Sequence, residues 1–238
     1  MTTSALLAVG HGSRDPRHAA SLHGLLDAVR FARPGLRAQP AFLDLSGPDV
    51  TTALARLAAS GARHVTVVPL FLRHGYHVRH DIPAVTAQAL RSLGPRRAPA
   101  LTVARQLGPD ALVDAALDRR LREQGLDAQD PQLRILRISA TTAPAAGLIA
   151  REVLCARGVQ QVAVASFFLA PGLLHDRVFA DALAAGVPVT APLVTPHDEP
   201  PAELVRLILD RFTAGASAGV SIRDGAGTAD PRAALAAA

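Results

Sequence analysis

The feature that most constrains this chain is a repeated strand signature. GARHVTVVPLFLRHG (residues 61–75) aligns with GVQQVAVASFFLAPG (158–172), an offset of 158 − 61 = 97 residues. Each run leaves a helix end, passes through an apolar strand and stops at a glycine-closed turn. LLAVGHG (6–12) aligns more weakly with ILRISAT (135–141). Elsewhere, short apolar runs alternate with amphipathic stretches. Strands that are apolar throughout are buried on both faces, which means parallel sheets covered by helices. The duplication implies two similar α/β lobes that face each other across a cleft.

Periodicity places the elements. Strands are expected at 6–9, 38–43, 65–72 and 101–104, and helices at 18–32, 83–93 and 110–124. A further helix runs from an Asp49 cap to Ala59 and stops before Gly61. Leu22, Leu25, Leu26 and Val29 have helical spacing, and Pro83 suits a first turn. The polar stretch 125–132, with Asp130-Pro131, reads as a linker. The pattern then restarts, with strands at 133–138, 162–169 and 187–193 and helices at 145–156, 177–185 and 201–212. Residues 1–125 therefore form a first lobe and 133–212 a second. Residues 213–238, rich in Ala and Gly without periodicity, are expected to be a disordered tail.

Composition removes several functions. Aromatics are 3% of 238 residues, with no Trp, which argues against a nucleic-acid binder that stacks bases. All 25 basic residues are arginine and the net charge is +5. That balance suits an acidic ligand, although GC-rich coding also produces arginine in place of lysine. The lone Cys155 sits in an apolar stretch and reads as a core residue; one cysteine permits no disulfide within the chain and fits a reducing compartment. The apolar run Ala5–Val9 is too short for a signal peptide, and the uncharged stretch 162–174 is broken by Pro171-Gly172. A cytoplasmic protein is expected, with no membrane or nucleic-acid partner.

Ligands of parallel α/β sheets bind beyond the carboxyl ends of the strands. The first strand is followed by Gly10-His11-Gly12-Ser13-Arg14-Asp15, the second by Asp44, and the third by Arg73-His74-Gly75-Tyr76-His77-Val78-Arg79-His80-Asp81. Imidazole and carboxylate together suit a borderline divalent metal such as Co, Ni, Fe or Zn. Imidazole also accepts protons near neutral pH. His11, between two glycines, is an exposed strand-end ring. Of the three histidines in the third loop, His77 is the preferred ligand over His74 and His80. Asp44 is either a third ligand or a turn residue. Arg14, Arg17, Arg73 and Arg79 would form a positive rim suited to a substrate with several carboxylates.

VGHGSRDP, AFLDLSGPDV and VVPLFLRHGYHVRHDIP together resemble the sirohydrochlorin chelatases, the class II cobalt and iron chelatases of cobalamin and sirohaem synthesis. The resemblance runs over about residues 5–212 and is strongest in the first half. It implies two flavodoxin-like lobes, each a four-stranded parallel sheet with helices on both faces, joined in one chain that acts as a monomer with pseudo-twofold lobes. It places the metal-handling histidines at His11 and His77. It places the family's acidic residue, typically Glu, at Asp44, where the shorter side chain is a departure. The expected substrate contacts are Ser13, Arg14, Arg73, Gly75, Tyr76 and Arg79. In the second half, Ala140 and Leu174 stand where the two histidines would repeat and His175 is one place off register, so one active site is expected, on the first lobe. His197, in the loop PHDEP, is a further candidate for touching substrate.

The implied reaction is insertion of a divalent metal, Co2+ or Fe2+ with Ni2+ as a further candidate, into a tetrapyrrole. The metal is a substrate, and no organic cofactor is expected. His11 and His77 would hold the ion loosely and take up pyrrole protons, and Asp44 would orient a histidine or balance charge. A cytoplasmic Co or Ni carrier without catalysis would use the same histidines. A two-lobed solute binder lacks its export signal, and GHGSR lacks the phosphate-loop pattern.

Overall fold

A computed structural model describes residues 4–139 and 161–217. The first half contains β1 (Ser4–Gly10), α1 (Pro16–Ala32), β2 (Arg37–Phe42), α2 (Val50–Ala59), β3 (His64–Pro69), α3 (Ile82–Leu93), β4 (Ala100–Val103) and α4 (Ala111–Glu123). The second contains β5 (Leu133–Ile138), β6 (Gln161–Ser166), α5 (Leu173–Ala184) and α6 (Ala202–Ser217). Strands β2-β1-β3-β4 form one parallel sheet, in that order, and β5-β6 a second.

The helix starts follow from local chemistry. Asp15, Asp49 and Asp110 each accept a backbone N–H of the first turn that follows, from Arg17, Thr52 and Leu112. The Asp49 cap and the end of α2 at Ala59 match the sequence expectation.

Alternation along β1 sorts its side chains to two cores. Ala5, Leu7 and Val9 pack with α2 and α3 residues such as Leu54, Leu57 and Ile82. Leu6 and Ala8 pack on the other face with Leu22 and Leu25 of α1, Leu117 of α4, and Leu204 and Ile208 of α6. That second core continues into Ala165, Leu193 and Val194. One apolar layer is thus shared by the two halves, and α6 lies against β3, α1 and α4.

Three expectations change. The helix expected at 201–212 continues to Ser217, so residues 213–217 are not tail. Gly215 is the reason: it is buried, and a Cβ there would meet Thr66 Cγ2 at 2.5 Å. The bare glycine lets the last turn press onto β3, and burial replaces the missing periodicity. The strand expected at 187–193 reduces to a single bridge between Val164 and Val189. Pro188 and Pro192 have no N–H to give a ladder. Helix α5 begins at Leu173, four residues before the expected 177, because Asp176 N–H already bonds the Gly172 carbonyl. Among the described residues the second sheet therefore has two full strands and that bridge. The helix expected at 145–156, Ala140, Cys155 and residues 218–238 lie outside the described residues.

The two glycines in helices predict opposite outcomes. At Gly24 of α1 a Cβ meets nothing within 4 Å. Gly24→Ala should therefore stabilise by about 0.5–1 kcal/mol. Gly215→Ala should destabilise by about 1–3 kcal/mol through overpacking. Urea-unfolding midpoints of the two variants check both signs.

Candidate active site

The register of β1 builds the site. Its two neighbours, β2 and β3, run parallel to it, so three strand ends open on one edge. The pairing continues past the strands: Leu43 N–H donates to Gly10 O, Asp44 N–H to His11 O, and Leu70 N–H to Val9 O. Gly12, at φ 97°, carries the turn. A Cβ there would sit 1.7 Å from the Asp44 carbonyl oxygen, so only glycine lets these loops touch. Ser13 N–H donates to Ser46 Oγ, whose hydroxyl donates back to Ser13 O, which staples the same two loops.

His11 and His77 come together at this edge. Their ring centroids are 4.6 Å apart and the rings are nearly perpendicular, at 86°. His77 opens a π-helical turn, His77–Asp81, closed by Ile82 N–H on the His77 carbonyl. Such turns recur at functional sites. The turn sets His77 Nδ1 2.5 Å from Asp81 Oδ2. His11 Nδ1 lies 3.2 Å from Gly12 O. A carboxylate and a carbonyl only accept, so a neutral ring at either position places its proton on Nδ1 and keeps the Nε2 lone pair for a ligand. Two nitrogens on one ion sit about 3–4 Å apart, given bonds of about 2.0–2.1 Å. Rings at the observed separation reach that by side-chain rotation. Phe71 stacks on His77, with centroids 6.2 Å apart, and limits that ring's motion.

The other candidates are dispersed. The Asp44 carboxylate accepts Leu45 N–H at 2.8 Å, where Leu45 holds a positive φ of 60°. Among the described residues, no group of three or more His, Cys, Asp or Glu side chains gathers to hold a metal. His80 packs on Tyr76 (4.6 Å between centroids), and His74 Nδ1 is bonded to Gln106 Nε2. Gly75, Tyr76 and Arg79 are exposed on the third loop, Arg14 is exposed on the first, and His197 is exposed on its own loop.

Two arginines of the expected rim also span the halves. Arg17 pairs with Asp15 and with Asp176 of α5, each at 2.5 Å, which raises its pKa far above the ordinary value through the hydrogen bonds to Asp15 and then Asp176. Arg73 donates to Ser139 at the end of β5. Gly172 comes close to Ser13 Oγ, so the second half borders the site. Asp81 is the residue whose role sequence reading missed; its only signal was the four-residue spacing from His77.

His175, one place off the repeat, is buried between Phe168 and Phe179, with Nε2 unpartnered. Burial, ahead of the opposing Asp176 contact, holds its pKa below the ordinary 6.5.

Paired histidines at the carboxyl edge of a parallel sheet define the class: an α/β protein that presents two imidazoles at one edge of its sheet. The chain belongs to the CbiX family, whose profile matches residues 5–124. It is 39% identical over 80 residues to a sirohydrochlorin cobaltochelatase of Methanothermobacter thermautotrophicus, covering 34% of this chain and 55% of that one. It is 26% identical over 132 residues to a sirohydrochlorin ferrochelatase of Bacillus subtilis, covering 56% of this chain and 49% of the relative. The matches thus span about half the length of these curated relatives. The crystal structure of the sirohydrochlorin chelatase SirB from Bacillus subtilis subspecies spizizenii, in complex with cobalt, superposes with a TM-score of 0.67. At 20% identity it covers 90% of this chain and 95% of that one, and it shares the fold.

Removing the carboxylate, Asp81→Ala, should weaken Co2+ binding about 10–100-fold by freeing the His77 ring; equilibrium metal titration reads this. For His175, the unfolded chain takes up the proton first. Stability should be full above pH 6.5 and fall as pH drops from there toward the folded-state value. His175→Leu should flatten that slope in urea melts run at stepped pH.

Proposed function

We propose that this chain is a lyase-type chelatase that inserts Co2+ or Fe2+ into sirohydrochlorin or a related tetrapyrrole, in cobalamin or sirohaem synthesis. The observation that carries the reading is the His11–His77 pair, 4.6 Å between centroids, with no third metal-holding side chain grouped with it among the described residues. An ion held by two imidazoles keeps open positions and can be surrendered, whereas a closed four-ligand site would retain it. The names of the relatives and their two metals support the same substrates.

Insertion exchanges two pyrrole N–H protons for one M2+. His11 and His77 receive the ion on one face of the macrocycle through Nε2. As each pyrrole nitrogen takes the metal, its proton passes to water or to an imidazole released from the ion, which acts as a general base. Asp81 holds His77 in the donating tautomer. Asp44, bonded to Leu45 N–H, lends negative charge beside the incoming cation, directly or through water. Ser13, Arg14, Arg73, Gly75, Tyr76 and Arg79 meet the macrocycle, the arginines at its carboxylates. Residues 1–125 carry the single site, residues 133–212 close the cleft, and the chain works as a cytoplasmic monomer. Among the described residues no helix is long and apolar enough to cross a membrane.

The test mixes metal-stripped protein with sirohydrochlorin and Co2+ or Fe2+ without oxygen and follows the visible spectrum. The wild type should accelerate insertion. The His11→Ala/His77→Ala variant should fall to the no-enzyme rate. Metal binding without acceleration by the wild type would make the protein a carrier instead.

A further inference from the structure

A second cationic feature lies at the opposite end of the first sheet from the histidines. There the carboxyl ends of α2 and α3 meet the starts of β3 and β4 around an open groove of about 1500 Å3. Arg63, Arg91, Arg96 and Arg97 line it, and all four are exposed. None of them takes part in the ion pairs found among the described residues, where Arg17, Arg119, Arg120, Arg137 and Arg211 each meet a carboxylate. Sequence explains the lack: from Val50 to Gly108 there are eight arginines and one carboxylate, Asp81, and that one sits at the far end on His77. The helix ends offset such charge only in part, and only within their last turn.

The floor between the arginines is apolar and small-featured. Ala55, Ala58 and Ala62 come from α2 and the turn after it, Leu90 and Leu93 from α3. The groove therefore combines alanine and leucine side chains with four exposed guanidinium forks. A planar macrocycle that carries carboxylates on its edge is the complement of that surface: flat apolar face on alanine and leucine, carboxylates on the forks.

We propose that this groove is a second binding site for a polycarboxylate tetrapyrrole, separate from the histidine edge. It holds the macrocycle before or after insertion, without metal chemistry. The class of occupant rests on the chelatase reading; the existence of the site does not.

The test is a titration of metal-free protein with sirohydrochlorin, followed by its fluorescence, which counts bound equivalents. The wild type should bind two. The variant Arg63→Gln/Arg91→Gln/Arg96→Gln/Arg97→Gln should lose one, or bind it about tenfold or more weaker, because charge-assisted contacts are removed. Its insertion rate should stay at the wild-type value, which also reports that it folds. The milder Arg96→Gln/Arg97→Gln variant should show an intermediate loss. His11→Ala/His77→Ala should keep the groove equivalent. If insertion is never accelerated but the arginine-dependent equivalent is present, the chelatase reading fails and this site stands. A single equivalent in the wild type that the four-arginine variant leaves unchanged would overturn the proposal. So would two equivalents unchanged in the variant, or displacement by inorganic phosphate at equal concentration.

Discussion

Parallel pairing of β1 with a neighbour on each side is the constraint on which the site depends. Because β2 and β3 both run with β1, the loops after all three strands leave the sheet at one edge. Backbone bonds from Leu43, Asp44 and Leu70 to the end of β1 carry that alignment past the last strand residue. An antiparallel neighbour would send its loop to the other end and separate the histidines by the length of a strand. Gly12 and the Ser13–Ser46 exchange then set the first loop hard against the second. The imidazoles meet because the backbone beneath them is fixed.

The same sheet ties the two halves together. Its α1 face is covered partly by α6, which comes last in the described chain, so the first core is closed by residues about 200 positions downstream of β1. Polar contacts reinforce this arrangement. Arg211 bonds Asp110, Arg119 bonds Glu203, and the buried Arg120 reaches Asp198 and the Leu193 carbonyl. Arg17 and Arg73 do the same beside the site, reaching Asp176 and Ser139. Two cations expected at the substrate thus also join the two halves. Net charge alone does not distinguish a structural arginine from one that faces a ligand.

The pairing of His11 with His77 was legible because its signal was local and lay at two strand ends. His11 follows an apolar strand between two glycines and His77 follows another, and strand-end placement needs only the parallel topology. What paired with each ring was not legible in the same way. Asp81 lies four residues from His77, a spacing shared by many helical pairs without consequence, and the contact depends on a π-helical turn that no residue type announces. Asp44 drew attention through its position after β2, yet its carboxylate is engaged by the next residue's N–H, a choice made by the positive φ of Leu45.

Local sequence was enough to set the alternation of strands and helices, the capping of α2 by Asp49, and the edge of the sheet that carries the histidines. Each of these rests on interactions within a few residues, or on a hydrophobic period that one segment displays alone. Packing between distant segments set the rest. It extended α6 to Ser217 because Gly215 fits against Thr66, reduced the 187–193 run to one bridge because two prolines give no hydrogen bonds to a neighbour, and turned Arg17 and Arg73 toward the second half. Those outcomes depend on which surfaces become buried against one another, and burial is a property of the assembled chain rather than of any segment within it.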